Sequence, residues 1–455
     1  MNEREYPITS GRLVVKYGVY GTDKYFVKDM ESKKSGLANE DLKNLLMLCD
    51  GTKNIKEIID YITKTYNEPK EVVIKKVKKS IQYLKKMGYI ELTKKSDSRP
   101  IIFHENDLSL DMVYIEVTNR CNLSCFHCYA SANQNQIDEM DTKTIFRLID
   151  ELSELGVIEI IITGGEPLLR NDIFEIMQYI ADKNISFVLF TNGVLLDENK
   201  IKRLKKLKVE MVAVSLDSSD PDVHNRVRGK DCFSKVIKNI DLMIKEGIPV
   251  RINVSLFKGI NDTKKQIGDM IEFLANKNIP RIVMGNLITY GRGKKQKNFV
   301  PPVYVAKIVS NTFKEKTKNF KASGKKMPVL AFTDEFKSGV ANNEASLHSY
   351  CGVGTFACLI RPNGDVAPCP VFIDNKYISG NVLNKSIKEI WLNSKVFNNI
   401  FRNHNVDDIP DCKVCSSKYS CLGGCKARSV MYNGKTDSPD LWMCSIHGLK
   451  VGVTK

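Results

Sequence analysis

Apolar residues along this chain keep two rhythms, and these alternate most regularly between residues 112 and 290. Continuous β-type runs occur at 112–116, 158–163, 186–191, 212–215, 250–254 and 281–284. Between them lie stretches with the three-to-four-residue spacing of amphipathic helices, including 142–154, 173–182, 198–207, 233–246 and 264–276. Strands alternating with helices in this way predict a parallel sheet built from βα units.

Ahead of that core, residues 8–93 follow a different plan. Leu13-Val-Val-Lys-Tyr17 and Tyr25-Phe-Val-Lys28 flank Gly18 and Gly21 and predict a hairpin. Three helical patterns follow. The first spans about 39–48, and the second, 55–66, places Ile55, Ile58, Ile59 and Ile62 on one face. The third takes Pro69 as its first helical residue and carries Val72, Val73, Val77, Ile81 and Leu84 as far as Gly88. A closing strand is expected at 89–92. Strands, three helices and a final strand resemble a winged helix-turn-helix, whose default partner is DNA. The polar, turn-prone stretch 94–107 reads as a linker. The predicted order is therefore a winged-helix-like domain at 1–93, a linker at 94–107, the α/β core at 108–290, a bridging region at 291–347 and a cysteine-dense domain with its tail at 348–455. The bridge holds Gly291-Arg-Gly-Lys294 and a helical stretch near 303–316.

A chain of 455 residues exceeds one ordinary core and suggests two or three domains. Its 42% apolar and 27% charged residues are those of a soluble globular protein. No run of 18 or more apolar residues predicts a membrane span, and the first residues lack a signal-peptide core, so a cytoplasmic location is expected. A net charge of +16 admits an acidic peptide or nucleic acid as partner, against the simpler reading of lysines solvating helix faces such as 202–208. Thirteen cysteines in a cytosolic chain point to metal or redox chemistry rather than to disulfides.

Three of them, Cys121, Cys125 and Cys128, fall in eight residues directly after the first core strand, spaced C-x3-C-x2-C. Tetrahedral zinc usually takes two C-x2-C pairs. Three thiolates on one short loop suit a [4Fe–4S] cube with one iron left open, whereas such cubes commonly carry four cysteines. Gly164-Gly165-Glu166-Pro167 follows the second strand, offering close backbone approach and a carboxylate suited to an ammonium group. Thr191-Asn192 ends the third strand and Ser215-Leu216-Asp217 the fourth, where they could hydrogen-bond sugar hydroxyls. Arg226 and Arg228, read as part of the next loop, offer guanidinium forks to a carboxylate. Cys49 is expected to be a buried small hydrophobe and Cys232 a helix-capping packing residue.

The cysteine loop and its surroundings resemble the radical S-adenosylmethionine (SAM) superfamily. That resemblance implies a partial (β/α)6 barrel in which SAM chelates the open iron and is cleaved to a 5′-deoxyadenosyl radical. It also implies that Gly164, Gly165, Glu166 and Pro167 bind the SAM amino group, that Thr191, Asn192, Ser215 and Asp217 serve the ribose, and that Arg226 or Arg228 meets the methionyl carboxylate. His127 stands where the family usually has an aromatic residue touching adenine.

Near the C-terminus, Cys412-x2-Cys415-x5-Cys421-x3-Cys425, preceded by Cys351, Cys358, Gly364 and Cys369 and followed by Cys444, resembles the SPASM domain. The resemblance implies two auxiliary [4Fe–4S] clusters: Cys351, Cys358, Cys369 and Cys425 for the one nearer the barrel, and Cys412, Cys415, Cys421 and Cys444 for the outer one. Two structural zinc sites are the alternative. Fused to such a core, the N-terminal module is similar to a RiPP recognition element, which holds the leader of a ribosomally made precursor peptide through a strand added to its hairpin edge and against its third helix.

Taken together, the resemblance implies a peptide maturase. The string Ser215-Leu-Asp-Ser218, His224 and Arg226-x-Arg228-Gly229 most resembles the thioether-forming sactipeptide and ranthipeptide enzymes. Expected cofactors are three [4Fe–4S] clusters and SAM. Expected partners are a precursor peptide and a reductant such as flavodoxin or ferredoxin, with no nucleic acid and no membrane. The alternatives are a carbon–carbon cross-linking maturase, a peptide epimerase, a formylglycine-generating maturase and, from another class, a DNA-binding iron–sulfur regulator.

Overall fold

A computed structural model describes residues 2–18, 24–104, 110–133, 139–322, 327–331, 352–402, 406–421 and 423–447. These form two compact units, one ending at residue 104 and the other beginning at 110.

The first unit contains β1 (Tyr6–Thr9), β2 (Leu13–Tyr17), β3 (Tyr25–Asp29), β4 (Ser35–Ala38), α1 (Glu40–Met47), α2 (Ile55–Tyr66), α3 (Lys70–Met87), β5 (Ile90–Thr93) and β6 (Ile102–His104). The expected hairpin is present, with Leu13 opposite Asp29 and Tyr17 opposite Tyr25. Its core gathers the predicted apolar faces, Ile55, Ile58 and Ile59 from α2 with Val73, Val77, Ile81 and Leu84 from α3. Cys49 lies inside this core, fully buried, its thiol donating to the Leu45 carbonyl.

Several expectations for this unit are corrected. Pro69 is the N-cap of α3 rather than its first helical residue, with an extended ψ of 129°. The closing strand β5 pairs with β1, a strand the sequence did not announce, and not with the hairpin. The linker is partly structured. Its β6 runs parallel to β2, and the Arg99 guanidinium donates to the Thr9 carbonyl. The sheet order β4-β3-β2-β6 therefore closes both edges of the hairpin and leaves β4 and β6 as the outer strands. The expected hairpin tip at 19–23 lies outside the described residues.

In the second unit the core elements are β7 (Met112–Glu116), α4 (Thr142–Glu154), β8 (Glu159–Thr163), α5 (Ile173–Asp182), β9 (Ser186–Thr191), α6 (Glu198–Lys206), β10 (Met211–Ser215), α7 (Pro221–Arg228), α8 (Phe233–Lys245), β11 (Val250–Leu256), α9 (Lys264–Asn276) and β12 (Arg281–Asn286). They agree with the sequence pattern to within two residues, except α7. That helix occupies what was expected to be a loop. Pro221 opens it, and the Asp220 carboxylate caps it by accepting from the Asp222 and Val223 backbone N–H groups.

Strands β7 to β12 form a parallel array in chain order, as the pattern predicted and as the partial barrel implied by the resemblance requires. Two further parallel strands extend it: β13 (Val329–Ala331), from the bridging region, beside β12, and β14 (Ala357–Ile360), from the cysteine-dense domain, beside β7. Strands β15 (Asp365–Ala367) and β16 (Gly380–Asn381) continue from β14 in antiparallel fashion. The two expected domains thus share one sheet. The remaining helices are α10 (Tyr304–Ala322), longer than expected, α11 (Ile387–Asn393), α12 (Pro410–Lys413), α13 (Lys418–Cys421), α14 (Lys426–Asn433) and α15 (Leu441–Ile446).

Strand register sorts the sheet residues onto two faces. Val113, Ile160, Ile162, Leu189, Val212, Val214, Ile252 and Ile282 share one face and are all buried. Tyr114, Thr163, Phe190, Ser215, Asn253, Ser255 and Val283 share the other, and all of these line a cavity. A parallel sheet with one mixed polar and aromatic face is one built to hold something at its centre.

Candidate functional site

The cavity measures about 400 Å³ and opens at the C-terminal ends of the strands. Cys121, Cys125 and Cys128 line it together with Cys369 and Cys425. Residues placed far apart in the sequence as two separate cysteine sets therefore face one space.

The loop carrying the first set is irregular, so its backbone groups need outside partners. The turn after β8 supplies some of them. Gly165 N–H donates to the Thr118 carbonyl at 2.7 Å, and Glu166 N–H donates to the Arg120 carbonyl at 2.8 Å. This approach leaves no room for side chains: a Cβ on Gly165 would stand 2.2 Å from the Arg120 oxygen, and one on Gly164 would stand 2.4 Å from that of Thr118. The glycines were expected to admit a ligand. They also let the turn close on the stem of the cysteine loop.

Glu166 takes a different place from the one expected. Its carboxylate is fully buried and accepts from the Thr191 hydroxyl, the Asn192 N–H and the Leu168 N–H at 2.8, 2.8 and 3.2 Å. It holds the end of β9 rather than facing the cavity, and burial lifts its pKa to about 7 against those three donors. Pro167 begins a single helical turn behind it. Gly164, Gly165, Thr191, Asn192 and Ser215 do line the cavity.

Of the two arginines, Arg228 lines the cavity and Arg226 is exposed at the surface. The Arg228 Nε stands 2.8 Å from Asp217 Oδ2 in a buried ion pair, and its Nη1 reaches Cys125 Sγ at 3.8 Å. Asp217 is therefore committed to Arg228 and, through Oδ1, to the Ser255 N–H at 3.0 Å. Its expected service to a ribose is not what its contacts show. His224 fixes the same corner. Its Nδ1 accepts from the Asp217 N–H, while Nε2 meets the Cys232 thiol at 3.6 Å. Burial holds His224 down to about 3 and pushes Cys232 up to about 11, so both are neutral packing groups.

His127 packs on Phe257 with ring centroids 5.0 Å apart, and burial followed by the nearby Arg228 and Arg292 charges keeps it neutral. Asn192 Nδ2 donates to Asn122 Oδ1 at 2.9 Å and approaches Cys121 Sγ at 3.9 Å. Burial pushes Cys121 up to about 11 and raises Cys125. Thiols so buried ionise readily only beside a cation, and a cluster iron is one. Among the described residues no three His, Cys, Asp or Glu side chains converge on a single ion. Thiols of a polynuclear cluster stand around a space, each on its own iron.

The C-terminal thiols fall into groups. Cys369 is raised to about 12 by burial and feels Cys425. Cys444 and Cys421 are each raised to about 12 by burial, and each feels both Cys412 and Cys415. The four expected outer ligands thus stand together. Between the groups, buried Asp440 accepts from the Cys425 N–H at 2.9 Å and pairs with Arg428, whose Nη2 lies 2.6 Å away. Cys358 is fully buried in β14 on the face shared with Val113, with Arg402 pulling its thiol down against burial. Cys351 lies outside the described residues.

One set of contacts to the cysteine loop escaped the sequence altogether. Arg292, after β12, grips the cysteine loop by its carbonyls, and no local pattern marks a residue whose partners are main-chain oxygens.

Comparison with known proteins gives this geometry its chemistry. Residues 115–274 match the family model of the Radical SAM superfamily, and residues 351–416 match the SPASM iron–sulfur cluster-binding domain. The mycofactocin maturase MftC of Mycobacterium ulcerans is 27% identical over 71% of this chain and 85% of its own length. An AdoMet-dependent heme synthase of Methanosarcina barkeri is 28% identical over 70% and 92%. The crystal structure of Streptococcus suis SuiB bound to precursor peptide SuiA superposes with a TM-score of 0.67, covering 95% of this chain and 98% of that one at 16% identity. The partial barrel is a radical SAM domain followed by a SPASM domain, and the chain is an enzyme that uses SAM and [4Fe–4S] clusters.

Proposed function

We propose that this radical SAM/SPASM enzyme oxidatively modifies a ribosomally synthesised precursor peptide, joining a cysteine sulfur to a carbon of the same peptide. The observation that carries the reading is the shared cavity, with three loop thiols on one wall and Cys369 and Cys425 on another. Cys121, Cys125 and Cys128 would hold the SAM-binding cluster. Gly164, Gly165, Thr191, Asn192, Ser215 and Arg228 would orient SAM, and His127 would flank its adenine. Bound there, cluster and SAM supply a hydrogen-abstracting radical. Cys351, Cys358, Cys369 and Cys425 would hold an inner auxiliary cluster, and Cys412, Cys415, Cys421 and Cys444 an outer one, making three. The chain's own work is to orient and to exclude water. Tyr114, Phe190 and Val283 line the space with apolar surface, while Asn253 and Ser255 offer polar atoms to a peptide.

The N-terminal unit would hold the leader. Its outer strand β4 offers an unpaired edge among the described residues, and the exposed side of α3 carries Lys75, Lys79, Lys85 and Lys86. An extended, acidic leader suits both. Support for a peptide substrate comes from the maturase relative and from the likeness to a structure solved with its precursor.

The test is anaerobic incubation of the reconstituted protein with SAM, a reductant such as flavodoxin, and a cysteine-rich peptide encoded beside the gene. A thioether removes two hydrogens per link: the carbon loses a hydrogen atom to the SAM-derived radical, and the thiol loses a proton. The electron left over needs an acceptor, a role the inner auxiliary cluster would supply, and the mass spectrum should show the loss of two hydrogens. Deoxyadenosine formed with no change in peptide mass would point to epimerisation. Consumption of a porphyrin in place of peptide would overturn the reading in favour of chemistry like that of the heme synthase relative.

A further inference from the structure

The cysteine loop is gripped a second time, by the segment that follows β12. Arg292 N–H donates to the Cys128 carbonyl at 2.9 Å, Nε to the Cys125 carbonyl at 2.9 Å and Nη1 to the Ala132 carbonyl at 2.7 Å. Both flanking residues are glycine for a reason visible in the packing. Gly291 has a φ of +54°, and a Cβ there would lie 2.1 Å from the Tyr129 oxygen and 2.6 Å from that of Cys128. A Cβ on Gly293 would lie 2.3 Å from the Ile288 oxygen and 3.2 Å from that of His127. Gly291-Arg292-Gly293 thus lies flat against the main-chain oxygens of the loop.

Cys125 is held at both ends, its thiol by Arg228 at 3.8 Å and its carbonyl by Arg292. Two guanidinium charges therefore flank a loop whose thiols become anionic when they bind iron. Positive charge close to a thiolate-bound cluster favours its reduced form, which carries one more electron. A fixed backbone also keeps the three sulfurs spaced for one cube.

We propose that Arg292 is a positioning residue for the radical SAM reaction: it fixes the cysteine loop through the carbonyls of Cys125, Cys128 and Ala132, and its charge raises the potential at which the loop's cluster accepts an electron. The inference rests on the radical SAM reading of the loop, which iron analysis of a Cys121→Ala, Cys125→Ala, Cys128→Ala triple variant tests separately.

The experiment compares reconstituted wild type with Arg292→Gln, Arg292→Lys and Lys295→Gln, the last a neighbouring exposed charge. Iron content, the electron paramagnetic resonance signal that changes on adding SAM, and the midpoint potential of that signal's cluster are read in each. Arg292→Gln should lower the potential, with roughly a tenfold fall in the reduced-to-oxidised ratio at a fixed applied potential, about 59 mV for one electron. Arg292→Lys keeps the charge but cannot span two carbonyls, so the potential should stay near wild type while the SAM-induced signal broadens. Loss of loop iron in both Arg292→Gln and Arg292→Lys, with Lys295→Gln retaining it, would also support the clamp. Wild-type potential and signal in Arg292→Gln, or an equal shift in Lys295→Gln, would overturn it.

Discussion

Arg228 stands between Asp217 and Cys125, its Nε 2.8 Å from the carboxylate and its Nη1 3.8 Å from the sulfur. The pair is deeply buried, with Asp217 only 1% and Arg228 only 7% exposed. Removing one partner of a buried pair strands the other charge, at a cost of about 3–5 kcal/mol. Asp217→Ala should therefore lower the melting temperature and weaken SAM binding, whereas Arg226→Ala, on the exposed side of α7, should change neither. Isothermal titration of SAM into the reconstituted variants checks the contrast.

Gly165→Ala tests the closeness of the turn to the loop. Its new Cβ would meet the Arg120 carbonyl at 2.2 Å, and backbone has no flexible end to swing aside. A strain on the order of 1–3 kcal/mol is expected. It falls directly on the residue before Cys121. Deoxyadenosine production should drop at least tenfold, while the pH and salt dependence of unfolding stay those of wild type.

Much of this could be read in the chain, and the limits have physical causes. Strands of a buried parallel sheet are continuous apolar runs, so β7 to β12 stood out. Short docking strands such as β1, β13 and β14 draw their identity from partners about 50 to 250 residues away in sequence, and three or four residues carry no periodicity. Helix α7 buries only His224, Val227 and Arg228, too few to show a rhythm. Had it been recognised, Arg226 and Arg228 would have been expected to face different ways, because residues two apart on a helix do not share a face. Glu166 was singled out by its motif, but its carboxylate turns to the end of β9, since a motif names residue types and not the direction of a carboxylate. The two cysteine-dense stretches stood out by their spacing and their division into sets was what the resemblance implied; that Cys369 and Cys425 share a cavity with Cys121, Cys125 and Cys128 was not legible.

Glu166 predicts a pH dependence. An unfolded glutamate titrates near 4.5, and burial lifts this one to about 7 in the folded protein. Between those values the folded state keeps a proton that the unfolded state has released, so stability falls as pH rises through this window and levels off above about 7. The full difference is on the order of 3 kcal/mol. Glu166→Gln cannot titrate there. The melting temperature of wild type relative to Glu166→Gln should decline from pH 4.5 to 7 and then run parallel; parallel curves throughout would show that Glu166 does not titrate there.

Iron analysis separates the cysteines by role. Cys412→Ala, Cys415→Ala, Cys421→Ala and Cys444→Ala should each remove about one cluster's worth, roughly four irons per chain. Cys49→Ala and Cys232→Ala should remove none, because the first packs in the core of the N-terminal unit and the second against His224. Equal iron loss in Cys232→Ala would show that it, rather than one of the assigned residues, is a ligand.

Asp440 links the two auxiliary thiol groups, which makes its loss diagnostic. It accepts from the Cys425 N–H at 2.9 Å, from the Trp442 N–H at 3.1 Å and pairs with Arg428 through Nε and Nη2. Its charge is also felt by Cys412, Cys421 and Cys444. Asp440→Ala would leave the Arg428 guanidinium buried without its carboxylate and free the backbone that aims Cys425 at the cavity. The damage is confined to the C-terminal end of the unit, since the loop of Cys121, Cys125 and Cys128 draws its partners from the barrel and from Arg292. The variant should therefore lose auxiliary iron, keep the SAM-dependent loop signal and continue to release deoxyadenosine, while peptide modification falls away. If cleavage of SAM and modification of peptide decline in step, the auxiliary thiols are not a separable part of the reaction and the division of labour between the cavity's two walls is wrong.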